Sequence, residues 1–150
     1  MPTMIVEIKR LPPKENAPEV RLPEYATPEA AGADVFAPYG VVIFPGERVM
    51  LPLGFAVSIP AGFEIQFRPR SGLAAKHGVT VINSPGTIDS DYRGELIAAL
   101  VNHGGAPHTI HAGDRVAQMV LAPVYRAEFH EVDALTETVR GTGGFGSTGR

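Results

Sequence analysis

Between residues 82 and 95 the chain carries Asn83, Asp89, Asp91, Tyr92 and Arg93, flanked by two apolar runs at 79–82 and 96–101. Asn83-Ser84-Pro85-Gly86 are turn residues, so the pattern is a hairpin. A mere connection would need only those four residues, and the others are able to do chemistry. A carboxylate such as Asp89, on a hairpin beside a bound phosphate, can orient and deprotonate water, which makes it the candidate general base. Its ordinary alternative is a turn-stabilising Asp. Asp91, two residues on, would share that face on an extended strand. Tyr92 offers a flat ring, either for packing across a strand or for contact with a sugar. Asn83 has the amide donor and acceptor needed to read the edge of a base.

Three more places could grip an anion. Arg70-Ser71-Gly72 opens the best helix candidate, residues 71–77, with Ser71 as cap and Gly78 as stop. Free backbone N–H groups, a hydroxyl and a guanidinium converge there, although an ordinary Ser cap beside a surface Arg would look the same. Gln118 is an uncharged amide able to bond a phosphate oxygen or to face solvent. The tail from Arg140 has Gly143, Gly144 and Gly146, which permit close approach of backbone to a ligand. Phe145 supplies a stacking face, and Arg140, Ser147 and Thr148 supply donors. No Lys follows the glycines, so this is not a Walker loop. Alone, such a tail is a disordered terminus.

The elements that must position these groups are short strands. Seventeen glycines and fourteen prolines punctuate apolar runs at a spacing typical of all-β proteins. Met4, Val6 and Ile8 alternate with polar residues, as do Phe63, Ile65 and Phe67. Strands are expected at 33–37, 41–44, 48–51, 55–59, 63–68, 115–121 and 127–132. Residues 11–30 read as irregular, with a possible turn of helix near Pro28-Glu29-Ala30. The expected architecture is all-β: a jelly-roll-like β-sandwich or small barrel with one short helix and a flexible Gly-rich C-terminal tail.

Composition bounds the rest. The 150 residues are expected to form a single domain, and 44% hydrophobic residues against 19% charged allow a buried core. A formal charge of −3 argues against general nucleic-acid or acidic-membrane binding, so an anion site must be a local Arg cluster. No apolar run spans a bilayer, and the N-terminus reads as a strand, not a signal peptide. The lack of cysteine excludes disulfides and thiolate metal sites and fits a cytoplasmic, reducing setting. His103, His108 and His111 match no usual zinc spacing.

Five stretches, in order, carry a resemblance: Ala31-Gly32-Ala33-Asp34-Val35, Arg70-Ser71-Gly72-Leu73-Ala74, residues 86–94, Gly113-Asp114-Arg115-Val116-Ala117-Gln118, and the tail from Arg140 to Gly149. Together they resemble the five motifs of the trimeric dUTPase family across residues 31–149. The resemblance implies hydrolysis of dUTP to dUMP and pyrophosphate by attack of an Asp89-activated water on the α-phosphate. This would keep uracil out of DNA and supply dUMP for thymidylate synthesis. It implies phosphate contacts from Arg70, Ser71, Gly72 and Gln118, and a uracil and deoxyribose pocket at Asn83, Gly86, Thr87, Ile88 and Tyr92. Tyr92 would exclude a 2′-hydroxyl. Asp34 would hold the water shell of a Mg²⁺. The tail, Arg140, Gly144, Phe145, Gly146, Ser147 and Thr148, would close over the ligand and bind the γ-phosphate. The implied assembly is a homotrimer with shared sites, the tail (140–150) closing a neighbouring subunit's site.

Two other readings compete. The related dCTP deaminases carry a Glu three residues before an Asn; here, counted back from Asn102, that place is Ala99. The other is a nucleotide-binding regulatory jelly-roll protein, against which Asp89, Tyr92, Arg140 and Phe145 all speak.

Overall fold

The computed structural model describes residues 3–12 and 19–146. It holds β1 (Glu7–Arg10), β2 (Glu24–Tyr25), β3 (Ala33–Phe36), β4 (Val41–Ile43), β5 (Arg48–Pro52), β6 (Phe55–Ser58) and β7 (Phe63–Arg68). After these come α1 (Ser71–His77), β8 (Val79–Val81), β9 (Gly86–Ile88), β10 (Ile97–Asn102), β11 (His108–Ile110) and β12 (Arg115–Pro123). Each pairing described is antiparallel. The largest sheet runs β2-β3-β12-β7-β9; the others are β5-β10-β8, β11-β4 and β1-β6. With mostly strands and one short helix, this is the expected jelly-roll-like architecture, and no closed barrel is needed.

Alternation builds the core. Ile65 and Phe67 of β7 point inward while Glu64, Gln66 and Arg68 do not, and Val35, Ala117 and Met119 join them from β3 and β12. Leu51, Ala98, Leu100, Val79 and Val81 face them from the three-stranded sheet, with Phe55, Ile43 and Ile110 closing the ends. All four sheets therefore bury side chains in one cluster, which is the main favourable term in folding. The one buried polar side chain among the described residues, Asn102, donates to the carbonyls of Ile43 and Ala106 and accepts from the N–H of Gly104, so its burial leaves no bond unmade.

Several expectations need correction. β1 begins only at Glu7, so Met4 and Val6 lie outside a strand. Residues 13–18 of the irregular segment lie outside the described residues; its remainder includes the short β2, and Ala30 bonds back to Thr27 in a turn, not a helix. β11 is an addition to the expected strands, its apolar content being too slight to signal. Conversely, 127–132 alternates like a strand but has no partner strand among the described residues, and from Val124 onward these are almost entirely exposed. Tyr125 and Phe129 are each 93% exposed. A strand needs a neighbour to satisfy its backbone, and this segment has none among the described residues of its own chain.

α1 has the expected bounds, but Arg70 is its N-cap residue, without a side-chain cap bond; Ser71 is the first helical residue. Gly78 ends the helix in the left-handed conformation at φ 70°, its N–H bonded to the carbonyl of Ala74. His77, in the last turn, stacks on His108 of β11 with ring centroids 4.3 Å apart. Burial, and then the neighbouring His77, hold His108 below its ordinary range, against a smaller opposing pull from Asp114. The unfolded chain therefore takes up more protons, and stability falls as pH drops through about 6.5. Replacing His108 by Gln should reduce the fall in melting temperature between about pH 7.5 and about pH 5.5 relative to the unsubstituted protein, measured by circular dichroism.

Candidate active site

The runs flanking residues 82–95 do pair as a hairpin, β8 with β10, in the register Val81↔Leu100. What lies between is more than a loop. After the turn residues, β9 crosses to the edge of the large sheet and pairs with β7, Gly86 opposite Phe67 and Ile88 opposite Ile65. Gly86 is buried, and the Asn83 amide packs where a side chain at 86 would stand. The backbone then turns, the Tyr92 N–H bonding the Asp89 carbonyl at 3.2 Å. Arg93 braces that turn through the carbonyls of Ser90 and Tyr92. The expectation that Asp91 shares a strand face with Asp89 is thereby corrected, because the turn separates them.

This route encloses a cavity of about 210 Å³ lined by Asn83, Gly86, Thr87, Ile88, Asp89 and Tyr92. All six are among the residues that the sequence singles out. Phe67, Val81 and Leu96 give it an apolar floor, and Glu95, to which the sequence patterns assign no role, also lines it. A small apolar pocket with a few convergent polar groups is the usual form of a ligand site. Tyr92 is not a cross-strand packing residue: its ring lies over Gly94, and its hydroxyl donates to the Glu95 carbonyl at 3.0 Å. Asp89 forms no ion pair among the described residues, so its carboxylate remains available.

A second cluster joins the first, second and fourth motifs. Gln118 on β12 stands opposite Asp34 on β3 and, on its other side, opposite Arg68 on β7. Asp34, with a side chain only 14% exposed, accepts from Arg70 Nε at 3.1 Å and Arg115 Nη1 at 3.3 Å. Two guanidiniums thus meet one carboxylate beside the start of α1, where Ser71 and Gly72 are exposed with the unpaired N–H groups of a first helical turn. Gln118 donates to the Pro69 carbonyl at 3.0 Å, and a Cβ on Gly32 would collide with its Oε1. Arg115 and Gly32 thus have parts in the site that only their contacts reveal.

The turn residues Ser84 and Pro85 line a shallow cavity with Arg68, Pro69 and Gln118, so the hairpin abuts the second cluster there, but Asp89 and Ser71 lie towards opposite ends of β7. Ile88, just before Asp89, sits opposite Ile65, whereas Ser71 follows the far end of β7. Roughly 10 Å of strand lies between Ile65 and Arg68 at about 3.3 Å per residue, with Pro69 and Arg70 still to come before Ser71. The tail forms a third, separate group. Arg140 Nε donates to the Gly143 carbonyl, Gly143 is half-buried, Gly144 and Gly146 are exposed, and Phe145 is fully exposed. Ser147 and Thr148 lie outside the described residues. No group of three or more His, Asp or Glu among the described residues could hold a metal by itself.

The fold and these two clusters define a jelly-roll protein with an Arg-rich polar cluster and a small, partly apolar cavity. Comparison with known proteins narrows the class. A dUTPase family model matches residues 18–149. The chain is 52% identical to the deoxyuridine 5′-triphosphate nucleotidohydrolase of Maricaulis maris (strain MCS10), over 99% of both chains. It is similar to the solved dUTPase of Staphylococcus bacteriophage 80alpha with dUpNHpp: TM-score 0.84, 27% identity, 99% of this chain and 100% of that one. It is also similar to a dUTPase variant from phage phi11 of S. aureus that coordinates a structural Mg(II) ion: TM-score 0.75, 27% identity, 87% of this chain and 98% of that one. The chain belongs to the dUTPase family.

The packing of Gly32 on Gln118 can be tested by itself. Gly32→Ala should displace the amide from Pro69 and destabilise the protein by about 1 kcal/mol, the usual net value of one such bond. In a Gln118→Ala background the same change should cost clearly less, as a urea-unfolding double-mutant cycle would measure.

Proposed function

We propose that this protein hydrolyses dUTP to dUMP and pyrophosphate through a water activated by Asp89. The observation that carries this reading is the convergence of Asn83, Thr87, Ile88, Asp89 and Tyr92 on one cavity of about 210 Å³, floored by apolar side chains. The Asn83 amide and adjacent backbone read the uracil edge. The Tyr92 ring lies under the deoxyribose and excludes a 2′-hydroxyl. Asp89 takes a proton from water for in-line attack on the α-phosphorus, with pyrophosphate leaving. Arg70, Ser71, Gly72 and Gln118 hold the phosphate oxygens. The product dUMP is a precursor for thymidylate, and removal of dUTP keeps uracil out of DNA.

Mg²⁺ is the proposed cofactor, with the substrate phosphates and Asp34 as the oxygen donors. Asp34 is already engaged by two guanidiniums, so it would hold such an ion only through water, in an outer role. Bound there, the ion would neutralise phosphate charge. A deaminase is disfavoured because Ala99 of β10, opposite Met50 of β5, offers no carboxylate where that chemistry needs one.

The site is completed by neighbouring subunits of a homotrimer. The register of β7 with β9 keeps a chain's own Asp89 away from its own Ser71, which argues that the two meet across a subunit boundary. The first, second and fourth motifs would come from one chain, the hairpin from a second, and the tail from a third. Residues 140–150 would close over the ligand, with Phe145 stacking on uracil and Arg140, Ser147 and Thr148 binding phosphate. Closed symmetry of this kind is common in homo-oligomers.

Pyrophosphate release from dUTP tests the chemistry directly. Asp89→Asn should bind dUTP almost normally yet turn over about 10²–10⁴-fold more slowly, the range lost with a general base. Near-normal turnover would remove Asp89 from that role. Sharing of sites is tested by co-refolding an Asp89→Asn chain with one truncated before Arg140, each inactive alone. Mixed trimers, verified by mass, should recover part of the activity. Persistent inactivity of such trimers would mean that each chain builds its own site.

A further inference from the structure

Glu95 lines the cavity but is singled out by none of the sequence patterns, and its bonds connect two parts of the fold. Its carboxylate Oε1 accepts from the backbone N–H of Gly54 at 2.9 Å, in the turn between β5 and β6. Its own carbonyl accepts the hydroxyl of Tyr92 at 3.0 Å. The next residue, Leu96, is clamped to the same turn on both sides, its carbonyl to the N–H of Leu53 and its N–H to the carbonyl of Phe55. Leu96 is only 2% exposed, whereas Tyr92 is 44% exposed. The ring is therefore not locked by packing alone. It is fixed from below by Gly94, where any Cβ would collide with the ring, and at its tip by the Glu95 carbonyl.

We infer that Glu95 is a positioning residue for sugar discrimination: by anchoring its own backbone to the Gly54 turn, it fixes the carbonyl that holds the Tyr92 ring in the plane that excludes a 2′-hydroxyl. The inference rests on the dUTP reading of the cavity. The physical point is leverage. A steric filter works only if the filtering group cannot yield, and an exposed tyrosine ring yields unless its hydroxyl is tied to something rigid. Here the tie ends in the β5–β6 turn, whose flanking Leu53 and Phe55 are wholly buried. Glu95 acts on the sugar through Tyr92, not by touching the reacting atoms.

The test compares kcat/KM for dUTP and UTP in Glu95→Ala, Glu95→Asp and Glu95→Gln. Ala removes the bond to Gly54, and Asp shortens the side chain beyond its reach while keeping the charge. Gln keeps an acceptor oxygen at the same length. Ala and Asp should lower the dUTP-to-UTP ratio by about 5- to 10-fold, the value of one well-placed hydrogen bond, with the change falling on KM more than on kcat. Gln should restore the ratio to within about twofold of the unsubstituted protein. In a Tyr92→Phe background, which lacks the hydroxyl, Glu95→Asp should have little further effect. If Asp and Ala discriminate as well as the unsubstituted protein, or if their effect persists undiminished in the Tyr92→Phe background, the inference is overturned. Should Ala fail to fold, Asp and Gln still decide it. An unsubstituted protein that hydrolyses UTP as readily as dUTP would instead overturn the functional reading on which this one stands.

Discussion

The antiparallel pairing of β9 with β7 is the constraint on which the rest depends. It draws the middle of a hairpin, whose two arms belong to one sheet, across to the edge of another. The detour opens the cavity between the sheets and directs Asn83, Asp89 and Tyr92 at it. The same register sends Asp89 towards the start of β7, while the Arg70–Ser71 turn follows its end. One pairing thus creates the pocket and sets Asp89 and Ser71 towards opposite ends of the same strand.

The anion cluster has its own internal logic. Asp34 brings two arginines together that would otherwise repel each other, and it does so with a carboxylate largely withdrawn from water. Two guanidiniums thus meet on one carboxylate in a chain whose overall charge is negative. Gln118 fixes the adjoining Pro69 carbonyl, and Gly32 leaves it the room to do so. Three motifs far apart in sequence therefore form a single object, because β3, β12 and β7 are neighbours in the sheet.

The C-terminal segment presents the opposite case. Tyr125, Phe129, Leu135, Val139 and Phe145 are apolar and almost wholly exposed. The alternation at 127–132 is a strand pattern with no strand beside it among the described residues. Local pattern alone makes it a strand, and the structure does not, since a strand is a property of a pair. The Ser71 cap is displaced by a single position, because a sequence pattern cannot tell a cap residue from the first helical one. β11 escapes the pattern because three residues with one apolar side chain, Ile110, show no periodicity.

What the sequence alone determined is what alternation, punctuation and residue chemistry can encode. It specified the inward face of β7, the bounds of α1 and its glycine stop, the hairpin of β8 with β10, and six residues that line one cavity. These are local: each depends on which side chains lie two, three or four positions apart. Only the tertiary structure decided that β9 would leave its hairpin for the large sheet, that Asp34 would be claimed by both Arg70 and Arg115, and that Glu95 would reach across to Gly54. The physical reason is that these depend on register between strands distant in the chain. Register is set by the joint burial of both partners' apolar faces in the shared core, and not by the residues of either strand taken singly.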